Sequence, residues 1–287
     1  MFQVSSSEVA WVEKGVAMDL RSDGRGRLDY RHFTLETGVI SQTNGSARLK
    51  LDTTDVLVGV KVDLGEPKPE TPDQGILRFS VECSPSISPE FEGRGGEELN
   101  VELASILARA NHNALDLKSL CVIPGKLCWT LYVDALVMDS SGNLVDALSI
   151  ATRAALQNTT IPKIEVDEEE GFEVSDDPLE STRPDISNVP VCVTLTKLGQ
   201  HFIADATLQE EQCKGVRVIV SVNGKGNINA VQMGGHGGVS PSLLKSIIQE
   251  AKRMGVDIIN ALDDALQKEQ EYKRDGSSSS SFGFFLS

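Results

Sequence analysis

Asp205 and Glu211 lie six residues apart in the segment Asp205-Ala-Thr-Leu-Gln-Glu-Glu211, which follows a strand-like run. Two carboxylates converging there could bind a metal ion or polarise a nucleophile. The same residues also describe a helix start, in which Asp205 or Thr207 caps while Glu210 and Glu211 favour the positive helix end. A second segment with chemical potential is Asp139-Ser-Ser-Gly-Asn-Leu-Val-Asp-Ala147, between the strand-like run 128–138 and an Ala-rich, helix-like run. Such a junction can hold phosphate through backbone N–H groups and the helix N-terminus. Here the turn offers Leu144, Val145 and the acid Asp146, with no Arg, Lys or Thr. An anion would meet a like charge and find no cation to pair with. As a phosphate site this turn is emptied.

Other candidates are weaker. Gly234-Gly-His-Gly-Gly238 precedes a helix but lacks the Gly-Lys-Ser/Thr ending of a nucleotide loop, and Lys245 falls well inside the helix, so it reads as a plain turn. The histidines at 32, 112, 201 and 236 have no paired spacing that would suit a metal. Asp23-Gly-Arg-Gly-Arg27 resembles an RNA-tethering repeat but sits between helix and strand, where a structural turn is the simpler reading. The cysteines at 83, 121, 128, 192 and 213 form no CxxC pair, which argues against a disulfide framework or zinc site and for a reducing compartment. Neither a metal nor a cofactor is expected.

The net charge of −15 argues against a nucleic-acid footprint over the whole surface, because backbone binding is driven by Lys and Arg. A local basic strip, or binding inside an assembly whose partners supply charge, stays open. With 287 residues, 40% of them hydrophobic, the chain can form two small domains or one large one with two halves. It has no basic-then-apolar leader and no apolar run approaching about 18 residues, so a soluble chain that neither enters a membrane nor is secreted is expected.

The elements that must position these residues follow from hydrophobic period. Residues 1–19 hold an N-terminal helix, with a cap among Ser5 to Ser7 and Val9, Val12 and Val16 at helical spacing. A first half spans 20–160. Its strands run Thr34 to Ile40, Ser46 to Leu51, Val56 to Leu64 and Ile76 to Cys83, then a helix from about Glu97, the long strand 128–138 and a helix over 147–157. The extended runs 55–64 and 128–138 could bury both faces or lend an edge to a partner. An acidic connecting segment, 161–190, reads over 167–188 as a solvated loop. A second half, 191–270, has strands at Val191 to Leu198, Phe202 to Ala204, Val216 to Val222 and Asn227 to Met233, then a helix opening on Ser240 and Pro241. The Ser-rich tail, 271–287, is expected to be disordered. Strands first and a helix after, twice over, make an α+β protein.

Five segments in order carry a resemblance: Arg21-Ser-Asp-Gly-Arg25, the Gly45-Ser-Ala47 strand, Phe91-Glu-Gly-Arg-Gly-Gly-Glu-Glu-Leu99, the turn at 139–147 and Asp205 to Glu211. Together, over about residues 20 to 266, they resemble a ribonuclease PH-type domain. Active members of that family are phosphorolytic 3′→5′ exoribonucleases that hold phosphate with a Gly-Gly-Thr-Arg turn. That turn here becomes Gly142-Asn-Leu-Val145, and the family's paired aspartates fall at Asp205 and Glu211. The resemblance is to the catalytically silent branch, the non-catalytic ring subunits of the RNA exosome. It implies a hetero-hexameric ring of related subunits, RNA-binding cap subunits on one face, an associated catalytic ribonuclease, and single-stranded RNA threaded through the pore. It also implies nuclear, nucleolar and cytoplasmic location and no membrane. Arg94, in the loop where active relatives carry several arginines, and Arg109, on the polar stripe of the following helix, are the candidate pore contacts. Ion pairing of Arg109 to Glu102 or to a neighbouring subunit is the alternative. An active phosphorolytic exoribonuclease with an unusual site is the competing function.

Overall fold

The computed structural model describes all residues except 1–3, 88–90, 168–170, 175–179, 214, 236, 275–281 and 285–287. The chain opens with α1 (Ser6–Ala17), whose Ser5 cap and Glu8 form a reciprocal capping box. Val12 and Val16 of α1 are buried against Leu198, Ile203 and Ala206.

The first half is a mixed sheet. Strands β1 (Phe33–Thr37), β2 (Gly45–Leu51) and β3 (Thr54–Gly65) form an antiparallel meander, and β3 pairs with β6 (Leu127–Asp139). Strand β4 (Ile76–Cys83) runs parallel to β6, so a crossover must join them, and α2 (Gly93–Ala110) is its helix. A short strand not foreseen from the sequence, β5 (Cys121–Ile123), pairs with the start of β6.

The helix that positions the site is α3 (Leu144–Asn158), which packs on β2 and β3 on one side and on the second sheet on the other. Residues Val145 to Leu156 are buried all round, as expected for a helix between two sheets. Small residues make the approach possible. A Cβ on Gly45 would lie 2.7 Å from Ala155 O, while Ala147, Ala151, Ala154 and Ala155 are fully buried.

After the hairpin β7 (Ile164–Asp167) and β8 (Gly171–Val174) comes the second sheet. Its antiparallel order is β10 (His201–Ala204), β9 (Val191–Leu198), β11 (Val216–Val222) and β12 (Ile228–Gly235). The short α4 (Leu208–Gln212) lies between β10 and β11, and α5 (Pro241–Arg274) covers β9 and β11. Arg153, buried in α3, donates to the carbonyls of Ile186 and Val189 and so anchors the end of the connecting segment.

Three sequence expectations are corrected. The loop expected over 167–188 contains β8, which pairs with β7, while 168–170 and 175–179 lie outside the described residues. Of the tail expected to be disordered, residues 271–274 continue α5 and β13 (Phe282–Phe284) pairs with β1, while 275–281 and 285–287 lie outside the described residues. Strands β3 and β6 offer no edge, because each has a hydrogen-bonded neighbour on both sides. Among the described residues the sheet edges are β4, the short β5 and β13 in the first sheet and β10 and β12 in the second.

Candidate functional site

The turn before α3 and the turn before α4 are built as one unit. Leu208 N–H donates to Ser141 O at 2.8 Å. Gly142 has φ +102°, and a Cβ there would lie 2.6 Å from Leu208 N, so only glycine fits. Asn143 (φ +57°) and Asp205 (φ +46°) also take the left-handed conformation, which Asn and Asp tolerate best among non-glycine residues.

Asp205 sits at the centre of this unit, fully buried. Arg31 grips it from two nitrogens, Nε to Oδ2 at 2.9 Å and Nη2 to Oδ1 at 2.7 Å, and adds its backbone N–H at 2.9 Å. Arg25 Nη1 reaches Oδ2 at 2.8 Å, and Asn143 Nδ2 reaches Oδ1 at 2.8 Å. Burial pushes the carboxyl pKa up, but the hydrogen bonds and charge of Arg31, with Arg25 behind, outweigh it and hold it below the usual aspartate value. A carboxylate so saturated has no lone pair free for a metal or a proton transfer. Arg31 meanwhile ties down the α3 turn through Ser141 Oγ at 2.5 Å and Gly142 O at 3.1 Å.

Glu211 reaches the same turn from α4. Its Oε1 accepts a hydrogen bond from Asn143 N–H at 3.0 Å. Asn143 is the N-cap of α3, and its side chain makes no capping bond. The protein's own carboxylate thus stands at the positive end of that helix, the place an exogenous anion would take. Desolvation by the surrounding protein raises the Glu211 pKa, against the opposing pull of the Asn143 backbone hydrogen bond and the charges of Arg217 and Arg31.

The helix-start reading of 205–211 is correct for Thr207 and Glu210, which form a capping box on α4. Asp205 does not cap. Glu210 is itself buried in an ion pair with Arg21.

Asp146 departs from expectation. It does not face an incoming anion. It is fully buried beneath the turn and accepts bonds from Tyr30 Oη at 2.8 Å, Asn143 Nδ2 at 3.0 Å, Thr194 N at 3.0 Å and Thr194 Oγ1 at 2.7 Å. It ties α3 to β9. Burial pushes its pKa up to about 6, against the opposing pull of Thr194, Tyr30 and Asn143. Leu144 and Val145 instead line a pocket of about 370 Å³ with Phe91, Leu99, Leu103 and Leu208. The turn that resembles a phosphate site therefore opens onto a largely apolar pocket that Glu211 and Arg217 also line.

Arg94 and Arg109 lie apart from this unit. Arg94 belongs to the first turn of α2, not to the loop before it, because α2 begins at Gly93. It is highly exposed and lies 3.6 Å from Glu98. Arg109 donates Nε to Ser105 O at 3.2 Å, and Glu102 pairs with Arg217, not with Arg109. Arg31, Tyr30, Asn143 and Thr194 were not foreseen as site residues. The signal that could have found Arg31 is the cluster Arg21, Arg25, Arg27 and Arg31 in an acidic chain, since a buried aspartate needs a cation.

Among the described residues no group of three His, Cys, Asp or Glu is arranged to hold a metal, and no helix is long and apolar enough to cross a membrane.

Residues 29–162 match domain 1 of the 3′ exoribonuclease family, RNase PH, and residues 188–254 match its domain 2. The chain belongs to the 3′ exoribonuclease family. Curated members similar to it include the "Putative exosome complex exonuclease RRP42" of Dictyostelium discoideum, 42% identical over 93% of this chain and 99% of that protein. The "Exosome complex component Rrp42" of Pyrococcus horikoshii is 37% identical over 88% of this chain and 92% of its own length. Among solved structures, a chain of an archaeal exosome core superposes with TM-score 0.74 at 26% identity, covering 90% of this chain and 96% of that one. A chain of the Archaeoglobus fulgidus exosome with RNA bound to the active site gives TM-score 0.77 at 28% identity, covering 88% and 97%. The RNase PH-type, α+β fold is thus shared along nearly the whole of this 3′ exoribonuclease family member.

Proposed function

We propose that this chain is a non-catalytic ring subunit of an RNA exosome. It joins other ribonuclease PH-like subunits in a hetero-hexameric ring, beside RNA-binding cap subunits and an associated catalytic ribonuclease. There it helps to form the pore that threads single-stranded RNA for 3′→5′ processing and degradation, rRNA included. The relatives named as exosome components support the assembly. Within the silent branch the sequence resembles eukaryotic exosome component seven, which supports placing it in nucleus, nucleolus and cytoplasm.

One observation carries catalytic silence: Glu211 accepts from Asn143 N–H at the start of α3, while Leu144 and Val145 supply no cation for phosphate. Asp205 is consumed by Arg31, Arg25 and Asn143. The alternative, an active phosphorolytic 3′→5′ exoribonuclease, has in its favour the word exonuclease in the name of the Dictyostelium relative. It would have to work without a free carboxylate at Asp205 and without a cation in the turn's own sequence, the nearby Arg31 and Arg217 being paired with Asp205 and Glu102.

Assembly is tested by mixing the purified chain with other ribonuclease PH-like subunits from the same source and measuring mass in solution. A hetero-oligomer of ring mass is expected. A chain that stays monomeric and thermally robust in that mixture would overturn the ring assignment.

A further inference from the structure

The pocket at the α3 turn has a chemistry of its own. Its volume of about 370 Å³ lies in the range of sites that bury a small ligand or a few side chains. Ile87, Phe91, Leu99, Leu103, Leu144 and Val145 make it apolar, and Leu208, 45% exposed, also lines it. Ser140, Glu211, Gln212 and Arg217 add polar and charged groups to the lining, and Glu211 is hydrogen-bonded to Asn143 N–H through Oε1 alone among the described residues.

The charge around the pocket is acidic. Exposed Glu92, Glu98, Glu102 and Asp139 each adjoin a lining residue in sequence, and Glu211 lies in the lining itself. Against these five carboxylates stand two guanidiniums: Arg217, which lines the pocket and pairs with Glu102 at 2.5 Å, and the exposed Arg94, 3.6 Å from Glu98 in a weak solvent-exposed pair, so the balance of charge stays negative. An RNA phosphate would be repelled here, whereas an apolar side chain followed by a cation would find both its complements.

We infer that this pocket is a docking socket for a partner polypeptide, taking a large aliphatic or aromatic side chain into the apolar wall and pairing an adjacent lysine or arginine with Glu211. The inference rests on the silent reading of the site, because a working phosphorolytic enzyme would need this space for its substrate.

The test uses the full chain and saturation-transfer NMR with three probes: acetyl-Leu-Lys-amide, acetyl-Leu-Glu-amide and a uridine tetranucleotide. The Leu-Lys probe is expected to show saturated leucine methyls and to bind about tenfold more tightly than the Leu-Glu probe. Glu211→Gln should abolish that preference while keeping methyl saturation. Leu208→Glu, at an exposed position, should remove the saturation with the circular dichroism spectrum unchanged. Absence of saturation with both dipeptides, equal binding of the two, saturation that survives Leu208→Glu, or displacement by the uridine tetranucleotide would overturn the socket. Phosphate-dependent RNA cleavage by the same preparation would instead strike the silent reading, so the two failures are told apart.

Discussion

Glu211 Oε1 accepts a hydrogen bond from the backbone N–H of Asn143 at 3.0 Å, which puts a carboxylate of the protein at the head of α3. Glutamate carries one methylene more than the aspartate of active relatives, and here the side chain is spent on the turn. Asp205, its partner in the motif, is held in a cage of Arg31, Arg25 and Asn143. Two acids that could have done chemistry together both hold Asn143, Glu211 by its backbone N–H and Asp205 by its side-chain amide.

Arg31 is the keystone of that scaffold. Arg31→Ala leaves the buried Asp205 short of its main partner, and breaking a buried pair in this way costs about 3–5 kcal/mol. A lower urea midpoint with an unchanged slope is expected. Arg31→Lys should recover only part of the loss, because lysine cannot make the two-nitrogen grip. Wild-type stability in Arg31→Ala would show that Asp205 is satisfied without it.

Asp146 should make stability depend on mildly acidic pH. Its folded pKa of about 6 lies above the unfolded value of 3.8, so its contribution is fully present below pH 3.8 and is lost as pH rises through 6. A shift of this size is worth on the order of 3 kcal/mol. Asp205 works in the opposite sense, its contribution present above pH 3.8 and lost as pH falls below it. Comparing wild type with Asp146→Asn by chemical denaturation at pH 4.5 and 6.5 cancels the Asp205 term. The difference between the two proteins should change with pH. A difference that stays constant would mean Asp146 titrates at its ordinary value.

Arg94 and Arg109 are the proposed RNA contacts, and both stand on exposed parts of α2. The Arg94–Glu98 pair is solvent-exposed and weak, so it does not withhold Arg94 from RNA. Arg94→Glu combined with Arg109→Glu should weaken RNA threading by the assembled complex, with the deficit growing as salt is lowered, and leave the ring intact. Unchanged RNA affinity and protected length in an intact mutant ring would assign both residues to structure.

Much of the fold was legible because its period is plain. Ile76–Cys83, Val191–Leu198 and Val216–Val222 have the bounds that alternation of apolar residues implied. Helix α2 starts at Gly93 instead of about Glu97, since Gly-Arg-Gly-Gly has poor helix propensity and only packing makes it helical. The emptied turn was visible as an absence of cations. The Asp205 cage was not, because Arg31 lies 174 residues away and an ion pair across that separation leaves no periodic trace. The orientation of Asp146 was misjudged for a related reason. A first-turn acid normally faces solvent or an anion, but α3 is buried on every side, so this acid points into the protein.

The most direct measurement is phosphorolysis itself: purified chain incubated with single-stranded RNA and inorganic phosphate, with nucleoside diphosphates followed over time. Loss of charge-assisted contacts to phosphate typically costs on the order of a hundred- to a thousandfold in rate per group. The prediction is no phosphate-dependent release above a no-enzyme control, and no change on Asp205→Asn. Release of nucleoside diphosphates that requires phosphate and disappears on mutating Asp205 would contradict the account.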